Sequence, residues 1–448
     1  MRRIGSPRAE KTHRPTYACA VTSEPLPRSA AAPLVVRTVE IPDPGPLVSL
    51  LPGSPDDVSW VRRNEGLVGW GRVAECRTSG SGRFTEAQRW WRDLTATAVV
   101  RDEVDLPGTG PVAFGSFSFD ASSSRGGSLV VPEVVVGRRG NRWWVTSISA
   151  AAESGAVLPS IASVARGSAP TPPADVRYAD GAISSAQWES AVAVAVQRIA
   201  AGELDKVVLA RDLEARASAP VDPRWLLQGL VERYAGTWVY AVDGLVGATP
   251  ELLCRLERGL VTSRVLAGTI RRTGDDDHDL ALAGSLARSS KDLEEHEYAA
   301  ASVADSLAPH CSSLNLPESP FVLHLPNVMH LATDIAGVVA DGSSSLELAE
   351  ALHPSAAVCG TPTDMARALI LELEGMDRGR YAGPVGWIDA TGDGEWGIAL
   401  RCAEIDPTDP ARLRLFAGCG IVAGSQPDAE LAEADAKLVP MRDALSAP

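Results

Sequence analysis

Four carboxylates stand in two pairs at helical spacing. In KDLEEHEY, Asp292 and Glu295 are three residues apart and share a helix face, while Glu294 points elsewhere. In DAELAEADAKL, Glu430 and Glu433 repeat the spacing, and Lys437 follows four residues after Glu433 on the same face. Two such faces brought together would hold one Mg2+, which takes one or two carboxylates plus waters and ligand oxygens. The spacing alone describes a solvated helix face equally well, with Glu433 and Lys437 as an ordinary i,i+4 salt bridge. Lys206 heads KVVLARDLEA and shares a strand face with Val208 and Ala210. Partly buried, it would be a base of lowered pKa; at a wet strand end it would be a plain surface lysine. Arg401, in EWGIALRCAEI, falls on a strand face with Gly397, Ala399 and Ala403, whose small size leaves room for a planar carboxylate on the guanidinium. A sheet-surface salt bridge would use the same residue. Gly268, Gly418 and Gly420 let backbone N–H groups approach an anion, or mark bulges and turns. His330, alone among apolar residues in PNVMHLATDIAG, has the setting of a satisfied core histidine.

The elements that must position these residues read as an α+β protein. Between Pro33 and Gly167 the runs VVRTVEI, GLVGWGRVAE, PVAFGSFSFD, LVVPEVVVG and RWWVTSISA, separated by Gly, Pro, Asp and Ser turns, predict an antiparallel sheet. SAPTPPAD (168–175) is the linker, extended by its prolines. Beyond it the periodicity predicts a helix over Ser185–Ala201 stopped by Gly202. A meander of KVVLARDLEA, TWVYAV, ELLCRLE and LVTSRVLAG follows, turning at Asp243-Gly244 and Arg258-Gly259. Next come a helix over Leu280–Leu307 and another with Thr361 as N-cap, Pro362 as first residue and Gly375 at its end. The strands GPVGWID, WGIALRCAEI and LRLFAGCGIV precede a final helix from Pro427. Runs of strands between helical blocks indicate layered sheets, not a βαβ repeat. Residues 1–33, with Arg2, Arg3, Arg8, Arg14 and Arg28 among Ser, Pro and Ala, read as a disordered tail. Residues 34–448 read as a single enzyme domain, with an N-terminal lobe over 34–167 and a catalytic lobe over 184–445.

Composition narrows the class. A net charge of −15 argues against a nucleic-acid or anionic-membrane binder, so any anionic ligand must meet local cations or a metal. No run approaches the roughly 18 apolar residues of a membrane span. Seven cysteines are scattered without a CxxC pair, which fits a reducing cytoplasm.

From about Ser184 to Leu445 the ordered segments DKVVLAR, GATPELL, LAGTIRR, SSKDLEEHE, PNVMHLATDIAG, LHPSAAVCGTP, DRGRYAGPVGW, GIALRCAEI, GCGIVAGS and ELAEADAKL resemble the chorismate-binding enzymes: isochorismate, salicylate, anthranilate and aminodeoxychorismate synthases. In the first lobe only GLVGWG and GSFSFD are similar. The resemblance implies large antiparallel sheets packed face to face with helices outside. It implies that Lys206 activates water and that Glu251, in TPELL, is the acid facing the leaving hydroxyl. Glu295 and Glu433 match direct Mg2+ ligands, and Asp292 and Glu430 match outer carboxylates, Asp292 being shorter than the Glu often found there. Arg401, Tyr381 and a Gly418 to Gly420 loop match the enolpyruvyl carboxylate site; Gly268, Thr269, His330 and Lys437 match the rim around the ring carboxylate.

Within the family, aminating members are expected to lack a lysine at position 206, and aminodeoxychorismate synthases often carry lysine where this chain has Ala267. The resemblance thus implies Mg2+-dependent conversion of chorismate to isochorismate, with salicylate synthase, which goes on to eliminate pyruvate, as the alternative. Lys206 would have to be neutral and Glu251 protonated. Chorismate is the expected partner, with no glutamine amidotransferase subunit, and a monomer is the family default.

Overall fold

The computed structural model describes residues 33–151 and 168–446; the tail expected over 1–33 therefore lies, save Pro33, outside the described residues. From Pro33 onward the chain gathers into one compact unit. Two sheets of thirteen and ten strands carry it, antiparallel except where Leu34–Ile41 pairs in parallel with Val99–Asp102. Both sheets draw strands from both lobes. In the larger, Val58–Arg62 pairs with Trp238–Val242; in the smaller, Val112–Phe117 pairs with Pro384–Asp389. The sheets pack face to face, so that Trp60 of the larger reaches Glu395 of the smaller through its indole N–H at 2.9 Å. Helices Ser185–Ala200, Pro223–Arg233 and Pro427–Leu445 cover the larger sheet, and Ser290–Leu307 covers the smaller. No helix among the described residues is long and apolar enough to cross a membrane.

Several elements depart from the sequence reading. The helix expected over Leu280–Leu307 is two, Asp276–Leu286 and Ser290–Leu307. Ser289 accepts the backbone N–H of Asp292, so an N-cap stands in the middle of the apolar periodicity and restarts the helix. Thr361 is not an N-cap; it pairs with Lys206 in a short strand, and the helix begins at Thr363 with Pro362 in the capping position. Three helices, Arg83–Ala96, Pro223–Arg233 and Ser345–Ala351, were not foreseen.

The expected meander is split between the sheets. Trp238–Val242 and Leu245–Thr249 form a hairpin in the larger, Leu252–Glu257 and Leu260–Arg271 one in the smaller, and Lys206–Arg216 pairs instead with Arg412–Ile421. The chain crosses between sheets at Pro250-Glu251, where proline has no N–H to give to either ladder. It crosses back after Gly394–Ile398, entering Cys402–Ile405 of the larger sheet. Arg401 lies in that second crossing with φ +49, so the strand-face grouping with Gly397, Ala399 and Ala403 does not hold.

Candidate active site

Both sheet crossings open onto one cavity. Glu251 and Arg401 line it from the two corners, each held at a point where a strand must end and change partners. Glu251 is 5% exposed, and burial pushes its pKa up to about 7 against the pull of the Leu266 backbone N–H and of Lys206, Lys437 and Arg401. A carboxyl poised there is a proton donor near neutral pH.

Lys206 is fully buried, which removes the wet strand-end reading. Its backbone is pinned between Thr361 and the Arg412–Ile421 strand. Its Nζ lies 3.0 Å from Glu295 Oε1, an ion-pair distance, yet the angle gives no hydrogen bond. Glu295 comes from Ser290–Leu307, and the absence of a side chain at Gly420 makes room for it: a Cβ there would lie 2.3 Å from Glu295 Oε1. Gly418 and Gly420 stand inside the paired strand, opposite Ala210 and Val208, and not in a loop; what they supply is space. On the final helix, Glu433 pairs with Lys437 at 2.7 Å, and Lys437 also donates to the carbonyl of Gly418 at 2.9 Å. Burial is the largest influence on Lys437 and opposes its charge, but Glu433 and Cys419 together outweigh it and hold the pKa above its ordinary value.

The opposite wall is built for an anion. Leu260–Arg271 bulges at Gly268, with φ +74, which shifts Thr269 into register with His330. Arg401 Nη2 donates to His330 Nε2 at 3.1 Å, so the histidine proton sits on Nδ1 and is given to Thr269 Oγ1 at 3.1 Å. Burial, then Arg401 and Lys437, push the His330 pKa well down, which keeps the ring neutral in that role. Arg401 Nη1 is buried without an acceptor, an unmet donor that a ligand carboxylate would satisfy. The Tyr381 ring stacks on Phe416 at 5.1 Å, and burial raises the pKa of its hydroxyl.

Of the residues singled out, Glu251, Gly268, Thr269, Glu295, His330, Tyr381, Arg401, Gly418, Gly420, Glu433 and Lys437 line this cavity. Lys206, Asp292 and Glu430 do not: Lys206 sits beneath Glu295, Asp292 packs where a Gly268 side chain would stand, and Glu430 is buried behind Cys419. Sequence reasoning missed Arg378, which also lines the cavity. It is buried against Glu374 and donates to the carbonyls of Val208 and Val358, tying the Lys206 strand to the Ser355–Cys359 segment. Its one local sign was the four-residue spacing from Glu374. The cavity is about 70 Å³, well under the roughly 300 Å³ of ordinary small-molecule sites.

The donor set suits a hard cation. Glu295 and Glu433 offer oxygens to the same cavity, and Glu430 stands beside Glu433 within a 4.8 Å cluster that includes Cys419 Sγ. Burial pushes the Cys419 thiol well up, so it stays protonated and leaves the ligation to carboxylates.

Comparisons with known proteins point to one family. The family model described as chorismate binding enzyme matches residues 38–446. The "Salicylate biosynthesis isochorismate synthase" of Pseudomonas aeruginosa is 34% identical over 410 residues, 87% of this chain and 84% of that protein. Isochorismate synthase DhbC of Bacillus subtilis is 42% identical over 270 residues, 58% and 67% of the two chains. Among solved structures, the menaquinone-specific isochorismate synthase MenF of Escherichia coli superposes with a TM-score of 0.76 at 26% identity, covering 95% of this chain and 97% of its own.

Proposed function

The chain belongs to the chorismate-binding enzymes, and from that premise we propose that it is an isochorismate synthase, an isomerase converting chorismate reversibly to isochorismate. One observation supports the reading: a buried carboxyl with a pKa near 7 and an unsatisfied arginine donor line one cavity, and a fully buried lysine stands just behind its wall against Glu295. The aminating members would need ammonia as nucleophile, and a lysine that activates water has no part in that step.

In the proposed reaction Lys206, as the free amine, takes a proton from water as its oxygen bonds to ring carbon C2. The double bonds shift, the bond from C4 to its hydroxyl breaks, and Glu251 protonates the departing group, so one water enters and one leaves. Arg401, held by His330 and Thr269, clamps a carboxylate through paired N–H groups. Glu295 and Glu433 would hold Mg2+, with Asp292 and Glu430 orienting them, and the bound ion would offset the charge of the dianionic substrate. Nothing in this scheme calls for an amidotransferase subunit.

The test is to incubate the purified protein with chorismate and Mg2+ and separate the products. Isochorismate in equilibrium with chorismate, without enzyme-dependent pyruvate, is the expected result. Salicylate and pyruvate in equal amounts would make the protein a salicylate synthase, and no turnover would remove the assignment. The acid role adds a second expectation. Because burial raises the Glu251 pKa to about 7, its protonated form is lost as pH rises through that value, so kcat/KM should decline on the alkaline side. Glu251→Gln should lower kcat by about 10²–10⁴-fold and abolish that decline; an unchanged alkaline limb in the variant would assign it to another group.

A further inference from the structure

Lys206 heads a strand whose outer edge is paired only at its two ends. Gly360–Thr361 covers that edge at Lys206 and Val207, and Arg177–Asp180 covers it from Leu213 to Arg216. Among the described residues no strand pairs with 208–212 on this side. Val208 and Ala210 are buried there, and a buried N–H or carbonyl must find a partner. Four unlike groups supply it. The Val208 N–H donates to the Cys359 carbonyl at 2.8 Å, and the Val208 carbonyl accepts from Arg378 Nη2 at 2.7 Å. The Ala210 N–H donates to Glu374 Oε1 at 2.7 Å, and the Ala210 carbonyl accepts the Trp188 indole N–H at 3.1 Å. Three side chains thus stand where a neighbouring strand would.

Glu374 and Arg378 are the centre of this arrangement. Both are buried, and the guanidinium forks onto the carboxylate at 2.5 Å through Nη2 and 2.9 Å through Nε. Its remaining nitrogen, Nη1, donates to the Val358 carbonyl at 2.9 Å, and the group lies over the Phe119 ring at 4.2 Å. All three nitrogens of Arg378 therefore have protein acceptors, whereas Arg401 Nη1 has none. Arg378 lines the cavity, yet its bonds run into the wall. Strand alternation carries what is fixed at Val208 and Ala210 to Lys206, two and four residues back on the same face. Release of that edge would displace the lysine, and a misplacement of about 1 Å at a reacting group can cost about 10²-fold in rate.

We propose that Glu374, Arg378 and Trp188 are positioning residues that replace a strand neighbour and so hold Lys206 in place for catalysis, an inference that rests on the reading of Lys206 as the base. The test is a double-mutant cycle on chorismate turnover, combining Lys206→Ala with Arg378→Lys, which keeps the charge but loses the fork. Alone, Arg378→Lys should lower kcat by about 10²-fold while KM for chorismate changes by less than about threefold. In the Lys206→Ala background the same substitution should cost less than about threefold, because the group it positions is gone. Should Arg378→Lys lose its native near-UV circular dichroism, Trp188→Phe, which removes the indole donor and keeps an aromatic ring, goes through the same cycle, with a fall of about tenfold expected only where Lys206 is present. Equal losses in both backgrounds would reduce these residues to supports of the fold, and a raised KM with kcat retained would make Arg378 a substrate ligand; either result overturns the proposal. Wild-type turnover in Lys206→Ala alone is a separate result, which removes the base itself.

Discussion

Lys206→Ala should lower kcat by about 10²–10⁴-fold, the contribution of a well-placed general base, while the affinity for chorismate changes far less. The lysine is fully buried, approaches no described carboxylate but Glu295 within ion-pair distance, and lies behind the cavity wall, so it gives little binding surface to lose. Steady-state kinetics would show a fall in kcat and kcat/KM together. Near-UV circular dichroism would confirm that the sheet packing survives. A folded variant turning over at the wild-type rate would end the assignment of Lys206 as base.

Chelation is the second large effect. EDTA should abolish turnover and Mg2+ should restore it, because Glu295 and Glu433 turn hard oxygens into one cavity alongside a dianionic substrate. Glu295→Gln or Glu433→Gln should eliminate activity at millimolar Mg2+. Asp292→Asn and Glu430→Gln should act more gently, raising the Mg2+ needed for half-maximal rate by about 10–100-fold, the usual penalty for losing an outer partner of a metal ligand. Full activity in protein shown by elemental analysis to be metal-free would refute the carboxylate assignment.

What the sequence revealed was local. The helix at Ser185–Ala200 follows from apolar spacing, the final helix begins at Pro427 as expected, and the turns at Asp243 and Arg258 follow from their glycine neighbours; both residues have positive φ. Of the fourteen residues the family resemblance named, eleven line one cavity, from the smaller sheet, the larger sheet and two helices, while Lys206, Asp292 and Glu430 stand outside its lining. What it did not reveal was long-range. Alternation predicts a strand but not its partner, so the split of the meander between two sheets was invisible, and with it the reason Glu251 and Arg401 meet. Arg401 was assigned to a strand face because nothing in EWGIALRCAEI signals a left-handed residue there. The burial of Lys206 depends on Thr361 and Glu295, residues 155 and 89 positions away, which no window on KVVLARDLEA contains.

The interleaving of strands has a consequence for how the molecule can be divided. The linker at 168–175 looks like a place to cut, but a fragment ending before it would present Val58–Arg62 and Val112–Phe117 as open edges, and the remaining fragment would present Trp238–Val242 and Pro384–Asp389. Each half would carry two buried-type strand edges into water, a template for self-association. The residues proposed for catalysis all lie in the second half, yet that half is a torn sheet. Chain continuity across the linker is dispensable in principle, whereas simultaneous presence of both halves is not, so the two pieces would have to be made together and zip along both seams to regain a working site.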